Sequence, residues 1–240
     1  MRGIYTSTSL MLSALDYQAL VTKNMANANT TGYKADRLRL TDFEHMLLDL
    51  NGNDTDPLGL GVATENAPID LSQGPIKQTE RDLDLALTGR AFFLVQTPQG
   101  VRLTRDGSFG LDANRQLVTS EGYPVLGQNG PVTLPAGEIS ITEDGRISVN
   151  GNAVAQLSLA VITDEGNVRR VGENLFDAPY SAANPGDAQV HQGYLEGSNV
   201  DIAAETSKMM AVFRTYEAAQ RVILMQAQTV DSAAADVGRV

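Results

Sequence analysis

Apolar side chains recur every three or four residues at both ends of this chain and every second residue between them, and that change of period divides the sequence. From Ile202, alternating steps of four and three reach Thr206, Met209, Phe213, Tyr216, Gln220, Ile223, Ala227, Val230 and Ala234, a seven-residue repeat of the kind that forms a helical seam. Asn199 or Asp201 is placed to cap this helix, Glu205 falls in its first turn, and no Pro or Gly interrupts it before Gly238. The pattern predicts a helix of roughly thirty-five residues, about 50 Å at 1.5 Å per residue. Such a helix needs a partner for its apolar stripe. The other end of the chain supplies one: residues 4 to about 28 carry the same spacing through Ile4, Thr8, Met11, Leu15, Gln18, Thr22 and Met25. Polar residues on both seams favour association specified by register over a strong two-stranded pair.

The N-terminal pattern breaks in the run from Asn24 to Lys34, where Asn27, Asn29, Thr31 and Gly32 all suit a turn or a left-handed backbone. A short amphipathic stretch over 35–50 (Leu38, Leu40, Phe43, Leu47) is followed by a Gly, Asn and Asp-rich loop over 51–61, and Pro68 and Pro75 keep 63–78 extended. From Thr79 the period is two. Leu83, Leu85 and Leu87 alternate with Asp82, Asp84 and Ala86, which predicts leucines on one strand face and both aspartates on a solvated one. Further short strands are expected at 91–95, 101–104, 108–111, 116–118, 124–126, 139–141, 146–149 and 157–162, with turns at Asp144-Gly145 and Asn150-Gly151 among others. The expected fold is α+β. An N-terminal helix in 1–35 and a C-terminal helix in 193–240 pair as a coiled coil, an extended linker covers 36–78, and an all-β domain is inserted at 79–192.

Composition narrows the chemistry. A net charge of −11, with no Lys/Arg cluster, argues against nucleic acid. No apolar run of eighteen residues occurs, so no membrane span is expected, and the N-terminus lacks the apolar core of a Sec-type signal peptide. The chain has no Cys and two His, His45 and His191, which leaves no Cys-His pair and no His-rich metal set. No Gly-x-Ser-x-Gly elbow accompanies either His. Residues 49–60 approach calcium-loop spacing but place Asp54 and Leu60 where Gly and Glu are required. No enzyme, metal or cofactor is therefore expected.

Three motifs carry a resemblance. Asn24 with Ala26–Lys34 is similar to the N-terminal signature of bacterial flagellar rod and hook proteins. The blocks Asp84–Gly89, Phe92-Phe93, Thr104–Phe109 (with Asp106 and Gly107), Leu117–Tyr123 and Leu126-Gly127 resemble the core of that family, and Gln192–Val200 (with Ser198 and Asn199) resembles the entry to its last helix. The resemblance implies an axial structural subunit of the flagellar basal body, exported through the flagellar apparatus without a cleaved signal. It would assemble with itself, with other rod proteins and with hook or distal rod subunits. The seam residues Ile4, Met11, Leu15, Met25, Ile202, Met209, Phe213, Tyr216, Ile223 and Val230 are the expected assembly contacts. The stretches Gly130–Pro135 and Met210–Glu217 resemble the proximal, FlgF type, whereas Gly61-Val62 and Leu71–Gly74 resemble the distal, FlgG type; the proximal type is preferred. Another class of function remains open on patterning alone, an all-β adhesin or carbohydrate-binding module on a coiled-coil stalk. The absence of Trp and the 5% aromatic content speak against its binding platform.

Overall fold

The structure is a computed structural model that describes residues 2–42, 62–172, 174–184 and 186–237, with the side chains of 2–5, 39–42, 62–67 and 233–237 not described. Phe43, His45, Leu47, the expected loop over 51–61 and the calcium-like spacing at 49–60 lie outside the described residues, as do the side chains of Ile4, Leu40 and Ala234. The chain forms two compact units: a helical unit of residues 1–26, 36–67 and 201–240, and a β-unit of residues 27–35 and 68–200.

In the helical unit, Arg2–Ala26 and Ile202–Val237 are α-helices lying in contact with each other, and an antiparallel pair, Arg37–Asp42 with Val62–Ala67, packs beside the first. The strand at 37–42 replaces the start of the amphipathic stretch expected at 35–50. Asp201 caps the second helix by accepting hydrogen bonds from the backbone N–H groups of Ala203 (2.9 Å) and Ala204 (3.3 Å). Glu205 follows in the first turn, where negative charge complements the helix dipole, and accepts from Lys208 Nζ at 2.6 Å. At 36 residues this helix is about 54 Å long.

Burial within the helical unit follows its own heptad spacing. On the first helix Ser7, Ala14, Val21 and Asn24 are buried, with Ser13 beside Ala14, and Leu10 and Tyr17 are half-buried; on the second, Glu205 and Ala219 are buried and Met209, Val212, Tyr216, Ile223 and Gln226 half-buried. This set lies largely one residue ahead of the expected seams, and it shares Met209, Tyr216 and Ile223 with them. Small side chains such as Ser7, Ala14 and Ala219 let the backbones approach, whereas counting large apolar residues selects a neighbouring stripe.

The β-unit is built on a six-stranded antiparallel sheet in the order 169–170, 175–177, 100–104, 91–97, 159–162, 180–182. Alternation along Ala91–Thr97 sends Phe93 and Val95 to one face and Phe92 to the other. Phe93 meets Phe109 edge-on at 5.0 Å within the larger core, which also holds Leu85, Leu87, Leu117, Val125, Ile147 and Leu157. On the opposite face Phe92 meets Phe176 at 5.8 Å beside Leu103 and Ala160. Each such side chain contributes roughly 1.5–3 kcal/mol when fully buried. A three-stranded meander, 139–141, 146–149 and 152–156, turns at Asn150-Gly151, whose φ values of 51° and 78° fit the two-residue hairpin that Asn-Gly favours.

One face expected to be solvated is closed. Asp84 and Ala86 are buried along with Leu85 and Leu87; Leu85–Gly89 pairs with Ala188–Gln192, and Asp84 bridges Ser108. Asp82 does face solvent.

Candidate functional site

At the centre of the β-unit, segments far apart in sequence converge on Glu196. Strand Tyr194–Glu196 pairs with Ile76–Gln78, and this pairing carries the Glu196 side chain into the interior, where it has 0% exposure. Its Oε1 accepts from Lys34 Nζ at 2.6 Å and from the backbone N–H of Gly74 at 2.9 Å; its Oε2 accepts from Arg105 NH1 at 2.9 Å. Both cations are closed from water, at 0% and 1% side-chain exposure. Lys34 also donates to the Ser72 carbonyl at 2.7 Å. Arg105 donates to the carbonyls of Leu87 and Gly89 and lies over the Phe92 ring, 5.0 Å from its centroid. Burial pulls the Lys34 ammonium below the ordinary lysine range and lowers the Arg105 guanidinium from its own, with the Glu196 carboxylate opposing both shifts.

Around this centre the motif residues act as fasteners. The turn Asn27–Ala35 follows from Thr30 donating to Asn27, and Gly32 then adopts φ 65° so that its N–H can donate to the Glu196 carbonyl at 2.8 Å. A Cβ on Gly32 would stand 2.4 Å from the Asp106 nitrogen, so only glycine fits. Thr31 Oγ1 donates to Asp106 Oδ1 at 2.9 Å, and the same oxygen accepts from the Ser108 hydroxyl and N–H. Tyr33 is buried beneath Arg170, whose guanidinium lies 4.4 Å from the Tyr33 centroid and 5.0 Å from that of Phe176. Asn199 Oδ1 accepts from Ala35 N–H at 2.7 Å, and its amide donates to the carbonyls of Asp70 and Ser72. Gly107 abuts the Leu85 carbonyl, Phe109 fills the large core, and Ser198 caps Val200 N–H. Gly89 accepts from Arg105, and Asn29 lies exposed in the turn.

The site therefore gathers Thr31, Gly32, Tyr33, Asp106 and Asn199 around three charged residues, Lys34, Arg105 and Glu196, that composition and periodicity did not single out. Buried charges leave no period in a sequence; their signal lay only in the motif strings containing them. Asn24 belongs to the helical unit, where it is buried and exchanges hydrogen bonds with the backbone of Asp36 at 3.0 and 3.1 Å. Of the seam residues, Met11, Met25, Met209, Tyr216 and Ile223 are half-buried, whereas Leu15, Ile202, Phe213 and Val230 are exposed. His191 is half-buried and within hydrogen-bonding distance of Thr88 Oγ1, at 3.2 Å. Among the described residues no cluster of three His, Asp or Glu side chains is disposed to hold a metal, and no helix is long and apolar enough to cross a membrane.

A closed β-unit fastened by both of its flanking segments, joined to a pair of long helices, is the build of a structural subunit. Residues 86–149 match the flagellar hook protein FlgE/F/G D1 domain, and residues 191–235 match the flagellar basal body rod FlgEFG protein C-terminal family. The chain is 33% identical to the flagellar basal-body rod protein FlgF of Caulobacter vibrioides over 99% of its own length and 98% of that protein's. It is 33% identical to FlgG of Buchnera aphidicola from Schizaphis graminum over 82% and 85% of the two chains. It is 30% identical to the hook-basal body complex protein FlhO of Bacillus subtilis over the full length of both. The chain belongs to the flagellar basal-body rod protein family of FlgF/FlgG type, a family of structural components of the flagellum. That membership sets aside the adhesin and carbohydrate-binding readings.

Proposed function

We propose that this chain is the proximal, FlgF-type rod subunit, and that it polymerises head to tail through its terminal helices, which pair as a coiled coil and transmit torque. The observation that carries this reading is the distribution of large apolar residues on the second helix. Its buried face is satisfied by Val212, Tyr216, Ala219 and their neighbours, yet Ile202, Met210, Phe213 and Leu224 stand exposed. At 100° per residue these four fall within a sector of about 80°, roughly a third of a turn from the buried face, with the exposed Met225 and Val222 further round the helix. Residues 227–232 are exposed all round. Leu12 and Leu15 on the first helix are likewise uncovered. A contact that joins such a stripe to a different face of the next subunit builds a helical filament when its rotation does not close into a ring.

End-to-end alignment with the Caulobacter FlgF supports the proximal position. The equal identity to FlgG chains keeps the distal position as the second reading. On either reading the chain is exported without a cleaved signal, carries no cofactor and catalyses no reaction. Electron microscopy of basal bodies from a strain lacking this gene tests the assignment. Truncation before the distal rod supports the proximal type, a rod without distal extension or hook moves the subunit to the distal position, and complete flagella overturn both.

A further inference from the structure

Two cations in the interior of the β-unit share one carboxylate, and that carboxylate arrives from the far end of the unit's sequence. Lys34 stands 162 residues from Glu196 and Arg105 stands 91. Arg105 keeps its charge in any protein environment and, besides Glu196, has the Leu87 and Gly89 carbonyls and the Phe92 ring. Its Nε finds no acceptor among the described residues, as expected where positive charge exceeds negative. Lys34 is placed differently: among the described residues its ammonium donates to Glu196 and to the Ser72 carbonyl, and Asp70 acts on it through space. Without the Glu196 carboxylate both cations would be buried and unpaired, a state that a protein avoids by opening. The weaker-held of the two would leave first, taking its segment with it.

We propose that Glu196 is the closing latch of the β-unit, so that residues 27–35 seat only once the segment carrying Glu196 has joined the sheet. The latch couples two ends of one unit through charge: the N-terminal turn brings a cation that the core cannot hold alone, and strand Tyr194–Glu196 brings its counter-ion. The main cores, around Phe93 and around Phe92, contain neither end and close without them. An unlatched chain therefore keeps its central sheet while the 27–35 segment is released, a local opening well below global unfolding. Because Glu196 lies six residues before the helix that begins at Ile202, closure also registers that the chain has been delivered nearly to that helix.

Hydrogen exchange on the full-length chain tests the latch. In Glu196→Gln, the amides of Gly32 and Ala35, which donate to Glu196 O and Asn199 Oδ1, should exchange at least tenfold faster than in the native chain, with strand 91–97 unchanged. Adding Lys34→Met should restore part of that protection, because it removes the unpaired cation. If the hydrogen bonds of Glu196 matter merely as structure, Lys34→Met would deepen the loss instead, and that result overturns the proposal. Native-like exchange at 32–35 in Glu196→Gln overturns it too, as does concerted exchange of strand 91–97 with the turn. Should Glu196→Gln fail to fold, the double variant carries the test: a folded double variant supports the latch and an unfolded one refutes it.

Discussion

Phe92, Phe93, Phe109 and Phe176 of the β-unit are all at 2% exposure or less, whereas in the helical unit Leu15, Met210, Phe213 and Leu224 stand at 46%, 59%, 48% and 57%. The β-unit buries all four of these phenylalanines, leaving apolar positions such as Val171 and Tyr180 at its surface, and fastens Lys34 and Arg105 to the one Glu196 carboxylate across long sequence distances. The helical unit buries small residues alongside Val21 and leaves several large ones in water. Since burying one large apolar side chain is worth roughly 1.5–3 kcal/mol, the first unit has gained that stabilisation at these phenylalanines, while the second has not gained it at Leu15, Met210, Phe213 and Leu224; on the proposed function a neighbouring subunit would supply it.

The sharpest way to break this comparison is to charge the uncovered stripe. Phe213→Asp should abolish rod assembly and motility while leaving thermal unfolding of the β-unit within about 0.5 kcal/mol of native, the range of ordinary surface substitutions. Swarming with retained motility would show that Phe213 has no partner. The converse change belongs in the β-unit. A Cβ on Gly107 would stand 1.7 Å from the Leu85 carbonyl oxygen, so Gly107→Val must push apart backbone that also carries the Leu85 N–H to Gly107 O bond. A loss of about 3 kcal/mol, near the top of the overpacking range, is expected in urea denaturation, and a native-like midpoint would contradict the packing.

Gly32→Val sits between these two in effect. The substitution places a β-branched side chain at φ 65° with backbone 2.4 Å away, at an expected cost of about 2 kcal/mol or more. Limited proteolysis should then cut within 27–35 before it cuts the sheet. Uniform resistance across the β-unit would show that the turn has another way to seat.

What the sequence disclosed, and what it withheld, follows the same division. Both helices, the Asp201 cap and the Asn150-Gly151 hairpin rest on local chemistry and were legible. The buried face of the helical pair was not, because the repeat is phased on large side chains such as Ile202 and Phe213, whereas Ser7, Ala14 and Ala219, one residue off that phase, permit close packing. Strands 169–170, 175–177 and 180–182 were missed for another reason: at two or three residues each, they are held by partners distant in sequence and have no period of their own. Asp84 read as solvated because alternation describes one strand and not what covers it. The motif residues Thr31, Gly32, Asp106 and Asn199 could be named from resemblance, yet the charged centre they enclose appears only when the segments come together.

The smallest expected effect comes from that centre and depends on pH. Burial holds Lys34 below the ordinary lysine value of 10.5 in the folded chain, so in the window between its folded value and 10.5 the unfolded chain binds a fraction of a proton more than the folded one. Stability then rises with pH through that window, or equally falls as the solution is acidified through it, and is independent of this site below it, with a slope of at most about 1.4 kcal/mol per pH unit. Lys34→Met removes this dependence. The comparison to make is the difference in unfolding free energy between the native chain and Lys34→Met at about pH 8 and about pH 10. The native chain should gain relative to the variant as pH rises, even if its absolute stability falls from other titrations. A difference independent of pH would mean that Lys34 binds its proton equally in both states, and that Glu196 compensates its burial in full.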